Sequence, residues 1–291
     1  MQLCGSIPAL VTPFHSGRLD LDAFHRLVEW HVDQGSSAAV VAGTTGENPA
    51  LEVDELVSLI RTAVAATRGR IPVVAGAGSN STAHALALTR AAEAAGADAL
   101  LHVTGYYNKP SQRQVVEHIR AIDAATQLPI LVYNIPSRTG QELSVDTMAA
   151  LAELRHVAGV KDATGNVARV THERRRIPRP FAFLSGDDSS CLGYIAHGGH
   201  GCISVTANVA PAACARMIAL ATAGDLAAAR ALNDRLTPLH AALFLEPSPA
   251  GIKYAMARRG LCSEELRGPL LPVEPATRRA IDAALELAGL D

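Results

Sequence analysis

Val157-Ala158-Gly159-Val160-Lys161-Asp162 is a short apolar run that ends on a lysine and an aspartate. Small and β-branched residues bounded by polar ones read as a buried strand, with the charged pair at the point where it leaves the core. The same pattern recurs on both sides of it, at 6–11, 38–42, 72–76, 99–103, 130–134, 181–184 and 201–204. Longer amphipathic runs separate these strands, at 22–34, 53–68, 82–95, 113–126 and 211–223. In the first of them Phe24, Leu27, Val28 and His31 share one helical face. Gly35, Gly69, Gly96 and Gly224 stand where left-handed helix caps are expected. Roughly eight strand-and-helix units, each of about 25 to 30 residues, predict an α/β fold of the (β/α)8 TIM-barrel type.

After Gly224 the alternation stops and helices are expected at 225–236, 250–260 and 274–287, with links carrying Pro238, Pro247, Pro249, Pro269 and Pro272. The chain is therefore read as a barrel over 1–224 and a small C-terminal helical domain over 225–291, behaving as one unit.

Composition narrows the function classes. A 48% hydrophobic and 19% charged chain of 291 residues belongs to the globular range, away from disorder. With a net charge of −2 there is no positive field to bind a nucleic-acid backbone or an anionic membrane, so small molecules or protein are the expected partners. The basic cluster Arg174, Arg175, Arg176 and Arg179 reads as a solvated helix end. Met1-Gln2-Leu3-Cys4-Gly5 does not read as a signal peptide or a lipid-attachment site, and no apolar run approaches membrane-spanning length. Five widely spaced cysteines, with no C-x-x-C pair, suit a reduced cytoplasmic protein with thiols buried as small hydrophobes.

Lysine is scarce: Lys109, Lys161 and Lys253 are the three among 26 lysines and arginines. Arginine cannot substitute for amine chemistry, because a guanidinium stays protonated whereas an ammonium can lose its proton and attack a carbonyl. Lys109 in a polar loop and Lys253 in a C-terminal helix are expected to be solvated. Lys161 ends a barrel strand on the side where barrel enzymes place catalytic groups. The bland alternative is a lysine paired with Asp162 or capping the barrel mouth.

Gly43-Thr44-Thr45-Gly46-Glu47 follows the second strand and resembles an anion cradle, with glycines for close approach and hydroxyls and N–H groups for a carboxylate. It lacks the spacing of a nucleotide P-loop, and a tight turn with Thr45 capping a helix is the alternative. Tyr106, Tyr107 and Tyr133 lie at or beyond the ends of strands four and five, where a phenol beside an amine can relay protons or simply pack in the core. Arg138 can fork onto a carboxylate or lie on the surface. His197 and His200, set among glycines without acidic or thiol neighbours, make a poor metal site, and Asp187 and Asp188 either line the mouth or cap the next helix.

Taken together these segments resemble the dihydrodipicolinate synthase and N-acetylneuraminate lyase superfamily along essentially the whole chain. The segments carrying the resemblance are GTTGE at 43–47, YYN at 106–108, YNIPSRTG at 133–140, VKDATGN at 160–166 and SGDD at 185–188. Ser137-Arg138-Thr139-Gly140 makes it most similar to the synthases of the group, which join pyruvate to L-aspartate 4-semialdehyde in the diaminopimelate route to lysine.

The resemblance implies that Lys161 forms an imine with pyruvate and that Tyr133, Thr44 and Tyr107 form a hydroxyl relay, with Tyr107 serving a neighbouring subunit. It implies that Thr44 and Thr45 hold the pyruvate carboxylate, that Arg138 receives the semialdehyde carboxylate, and that Gly186 and Ile203 contribute backbone groups. A homotetramer built from tight dimers is implied, with neither metal nor organic cofactor. Gly105 stands where the family commonly has proline, which is expected to loosen the Tyr106–Tyr107 loop, and Asp162 stands where it often has glutamate. Positions that hold lysine in feedback-inhibited members are here Asn48, Val53, Leu56 and His84, with Asn80 and Tyr106 retained, so weak or absent lysine feedback is expected. Two other readings stay open: a pyruvate-dependent class I aldolase for a sugar acid or hydroxy-oxo acid, and a non-catalytic keto-acid-binding protein.

Overall fold

The alternation of buried strands and amphipathic helices closes on itself in a computed structural model that describes residues 3–290. Met1 and Gln2, part of the N-terminal reading above, lie outside the described residues. The strands are β1 (Gly5–Pro8), β2 (Phe14–His15), β3 (Arg18–Leu19), β4 (Ala39–Val41), β5 (Val73–Gly76), β6 (Ala99–Val103), β7 (Ile130–Asn134), β8 (Val157–Asp162), β9 (Ala182–Ser185) and β10 (Gly201–Ser204). The helices are α1 (Leu21–Asp33), α2 (Val53–Thr67), α3 (Thr82–Ala94), α4 (Gln112–Asp123), α5 (Pro136–Thr139), α6 (Val145–Ala152), α7 (Arg169–Arg176), α8 (Cys191–Ala196), α9 (Pro211–Thr222), α10 (Leu226–Ala242), α11 (Ala250–Arg258) and α12 (Pro275–Ala288).

Eight parallel strands run in the order β1-β10-β9-β8-β7-β6-β5-β4. The two ends meet where Ala9 bridges Val40 and the Leu10 N–H donates to the Val40 carbonyl at 2.9 Å. The fold is a (β/α)8 barrel. β2 and β3 form a small antiparallel hairpin outside it, which the sequence reading missed because two-residue strands carry no periodicity.

Strand alternation sorts side chains into two layers. Leu131 and Tyr133 join Ile7, Val40, Leu101, Leu184 and Ile203 in the barrel interior, while Ile130 and Val132 pack outward on the helices. In β8 the register slips beside Ile130 and Leu131, so that Ile130 pairs with Val157 and Leu131 with Gly159. This bulge at Ala158 resets the alternation. Val157 and Val160 both face the helices, and Lys161 becomes the partner of Tyr133.

Gly35, Gly69, Gly96 and Gly224 have the expected positive φ. From Leu226 onward only helices follow, and Leu236, Leu239, Ile281 and Leu285 belong to the same apolar cluster as the outer barrel layer. Two expectations are corrected. Pro238 lies inside α10, which runs on to Ala242, instead of linking two helices. An interior proline costs about 3 kcal/mol, and burial of Leu236, Leu239 and Ala242 against the core offsets it. Lys253 is not solvated: it is 0% exposed and paired with Glu47 at 2.5 Å, because α11 turns its lysine face into the protein.

Candidate active site

Lys161, the penultimate residue of β8, lies on the inner face, 4% exposed, with its Nζ 4.2 Å from the centroid of the Tyr133 ring. Register explains the contact, since β7 and β8 pair Tyr133 with Lys161. On the opposite side Gly186 leaves space for the lysine stem. A β-carbon at Gly186 would lie 3.0 Å from both Cγ and Cε of Lys161. The alternative pairing of Lys161 with Asp162 does not occur, because consecutive strand residues face opposite sides. Asp162 instead meets Arg169 at 3.0 Å on the helix side.

Tyr133 is also on the wall of a cavity of about 240 Å³ at the C-terminal end of the strands. Gly43 and Thr44 line one side of it, Tyr106 and Arg138 another, and Gly76 and Gly78 widen its base. Glycine is required at 76, where a β-carbon would collide with the carbonyl of Ala42. Lys161 itself stands behind Tyr133 and is not part of the wall. Ala42, Asn48, Pro49, Leu101 and Val103 complete the lining; of these the sequence singled out Asn48 alone, as a position of the lysine pocket, because the small and apolar residues carry no chemical signal.

The segment 43–47 is a tight turn held from within. The Gly46 and Asn48 N–H groups donate to the Gly43 carbonyl at 3.1 and 3.3 Å, and the Thr12 hydroxyl donates to the Gly46 carbonyl at 2.7 Å. Among the described residues the N–H groups of Thr44 and Thr45 have no protein partner, and Thr45 caps no helix. Two adjacent free donors beside two hydroxyls suit a carboxylate. Thr44 reaches the cavity wall, whereas Thr45 is buried behind it.

The remaining candidates separate. Arg138 lies on α5, and its guanidinium donates to the Ser248 carbonyl at 3.5 Å while lining the cavity. Ile203 is buried in the barrel interior opposite Ile7. Tyr107 is not brought to the cavity of its own chain: it is 91% exposed, at φ 68°. Its loop is tied to Asn80 by hydrogen bonds. The Tyr106 carbonyl accepts from the Asn108 N–H at 2.8 Å and from the Asn80 amide at 3.3 Å, and Asn108 donates to the Asn80 carbonyl at 2.9 Å. Gly105 makes this packing possible, since a β-carbon there would fall 2.7 Å from Pro110.

Behind β8 the sequence reading missed a buried ionic cluster. Arg169 binds Asp162, Glu142 at 2.7 Å and Glu173 at 2.7 Å. Burial raises the pKa of Asp162 and pushes that of Glu173 up to about 7, against the pull of Arg169. The i, i+4 spacing of Arg169 and Glu173 on α7 is a signal for the pair, though not for its burial.

Asp187 accepts from the Ser190 N–H at 2.9 Å, just ahead of α8, and Asp188 from the Val205 and Thr206 N–H groups at 2.9 and 3.0 Å, so Asp188 ties down the segment after β10 instead of capping the next helix. His200 accepts from the Phe183 N–H, and no group of three or more metal-ligating side chains occurs among the described residues. None of the helices described is long and apolar enough to cross a membrane.

Comparison with known proteins agrees with this arrangement. The model of the dihydrodipicolinate synthetase family matches residues 2–288. A protein of Ruegeria pomeroyi named 4-hydroxy-tetrahydrodipicolinate synthase is 51% identical over 286 residues, covering 98% of this chain and 99% of its own length. One of the same name from Chelativorans sp. is 54% identical over 288 residues, with 98% of each covered. The crystal structure of the chloride-inhibited dihydrodipicolinate synthase from Acinetobacter baumannii complexed with pyruvate superposes with a TM-score of 0.97 at 42% identity, over 100% of both chains. The lysine near the end of β8, packed against Tyr133, and these full-length matches place the chain in the dihydrodipicolinate synthetase family.

Proposed function

We propose that the chain is a 4-hydroxy-tetrahydrodipicolinate synthase, condensing pyruvate with L-aspartate 4-semialdehyde in the diaminopimelate route to lysine. The observation that carries this reading is Lys161, buried at a barrel strand end against Tyr133, beside a cavity that presents Thr44 and Arg138.

The neutral amine of Lys161 attacks the ketone carbon of pyruvate, and the carbinolamine loses water to give a protonated imine. The imine draws electrons from the methyl carbon, which releases a proton and becomes the enamine carbon. That carbon attacks the aldehyde of the second substrate, whose oxygen takes up a proton. The substrate amino group then adds to the imine carbon and expels the lysine amine as the ring closes. No electron acceptor or metal enters this sequence.

The protein groups divide the tasks of this sequence, and Thr44 serves in two of them. Thr44 and Thr45 hold the pyruvate carboxylate. Tyr133, Thr44 and Tyr107 relay the protons, with Tyr107 supplied by a second copy, a role its outward, exposed position suits. Arg138 receives the semialdehyde carboxylate, and Gly186 and Ile203 contribute backbone groups around the reacting atoms. We place the protein in the cytoplasm as a homotetramer of tight dimers. The test is an assay with both substrates coupled to a reductase that consumes the cyclic product. Turnover supports the assignment, and absence of consumable product refutes it.

A further inference from the structure

In addition to Lys161 the protein buries a second lysine that the reaction does not use. Lys253 on α11 is completely buried, with its Nζ 2.5 Å from Glu47 Oε1. It also donates to the Glu265 carbonyl and sits 4.2 Å from the centroid of Phe14. The other oxygen of Glu47 accepts the backbone N–H of Arg267 at 2.9 Å. The Arg267 guanidinium in turn holds Glu55 through two contacts of 2.6 Å, donates to the Ala50 carbonyl at 2.8 Å and lies over Phe14 at 4.5 Å. Two neighbouring C-terminal segments, 250–258 and 265–267, thus reach back across the chain to one carboxylate of the barrel.

That carboxylate ends the Gly43–Glu47 turn. Glu47 is left-handed, at φ 58° and ψ 35°, and its N–H donates to the Thr44 carbonyl at 3.1 Å. A non-glycine residue holds this conformation where its surroundings over-determine it. Removing a carboxylate and an ammonium from water carries a desolvation penalty that an apolar pair would avoid, so the pair is better explained by the geometry it fixes than by net stability. The geometry it fixes is that of the turn carrying Thr44 and Thr45. Burial lowers the pKa of the Lys253 amine, and the adjacent Glu47 opposes this.

We propose that Glu47 and Lys253 are positioning residues: through one buried ion pair α11 sets the turn whose Thr44 and Thr45 hold the pyruvate carboxylate. This rests on the functional reading given above.

The variants are Lys253→Met, Glu47→Gln and the double substitution, in the full chain. Two quantities are read in each: hydrogen exchange of the 43–50 segment, and the pyruvate concentration that half-saturates borohydride trapping. The double variant leaves no lone buried charge, so its thermal midpoint returns toward that of wild type even if the single variants fold poorly. The expected result is faster exchange in 43–50 and a rise of about tenfold in half-saturating pyruvate in the double variant, with KM for the semialdehyde changed far less. A double variant with wild-type exchange in 43–50, or with faster exchange but unchanged half-saturation, overturns the proposal and leaves the pair a purely structural one. If the wild type itself traps no pyruvate, the functional reading fails, and the assignment of Thr44 and Thr45 to pyruvate fails with it. Exchange in 43–50 then still decides whether the pair holds the turn.

Discussion

Tyr133 and Lys161 are register partners on adjacent parallel strands, and the lysine Nζ lies 4.2 Å from the tyrosine ring centroid. The bulge at Ala158 makes them so. It lets β8 present valines to the helices at both 157 and 160 while still turning Lys161 inward. Two strands of ordinary sequence thereby place an amine and a phenol in one water-poor barrel end.

Gly186→Ala is expected to displace this lysine without unfolding the protein. The added methyl would lie 3.0 Å from Cγ and Cε of Lys161, and Gly186 does not have positive φ, so the backbone tolerates the change. Imine formation should slow by about tenfold or more, since small misplacements of a reacting group are costly. Rapid-mixing measurement of imine formation, alongside the thermal midpoint, checks it; an unchanged rate shows that the stem has slack.

Arg138→Lys is expected to raise KM for the semialdehyde by about tenfold or more while leaving pyruvate trapping intact. Lysine keeps the charge but loses the planar fork that binds a carboxylate through two bonds. Steady-state kinetics with each substrate varied separately measures the split. Equal effects on both substrates would remove Arg138 from its proposed role.

Glu173 predicts a pH dependence of stability. Its folded pKa, about 7, lies above its ordinary value of 4.5. Between those values the folded protein therefore binds more protons than the unfolded chain, and stability falls as pH rises from about 4.5 to 7, then levels off. Glu173→Gln removes this slope. The difference between wild type and variant should change by up to about 3 kcal/mol across that window. Urea denaturation at several pH values measures it, and parallel curves would show that Arg169 keeps Glu173 ionised throughout.

Lysine is expected to have little effect on the initial rate. Leu56 is buried in the core and Val53 presents an exposed isopropyl group, so neither offers a polar contact to a charged amino acid. A titration of initial rate with lysine tests this, and strong inhibition contradicts it.

The barrel was legible because its signals are local. Strands at 99–103, 130–134, 157–162 and 201–204 were read with the boundaries observed. Lys161 stood out because a charged residue at the end of an apolar run is itself a local signal. Lys253 was misread because nothing near it in sequence announces Glu47, its partner across the fold. Pro238 was misread for the same reason, since the contacts that carry α10 past it come from other helices. The Asp162–Arg169–Glu173 cluster, likewise, becomes buried only when α7 packs on β8. Tyr107 cannot be placed by one chain, because its proposed site belongs to another copy.

The most direct measurement of the central claim is borohydride reduction of the protein in the presence of pyruvate, followed by peptide mass mapping. The account predicts a stable adduct of reduced pyruvate on the peptide carrying Lys161, absent in Lys161→Ala although Lys253 remains. An adduct elsewhere, or one that survives in Lys161→Ala, contradicts it.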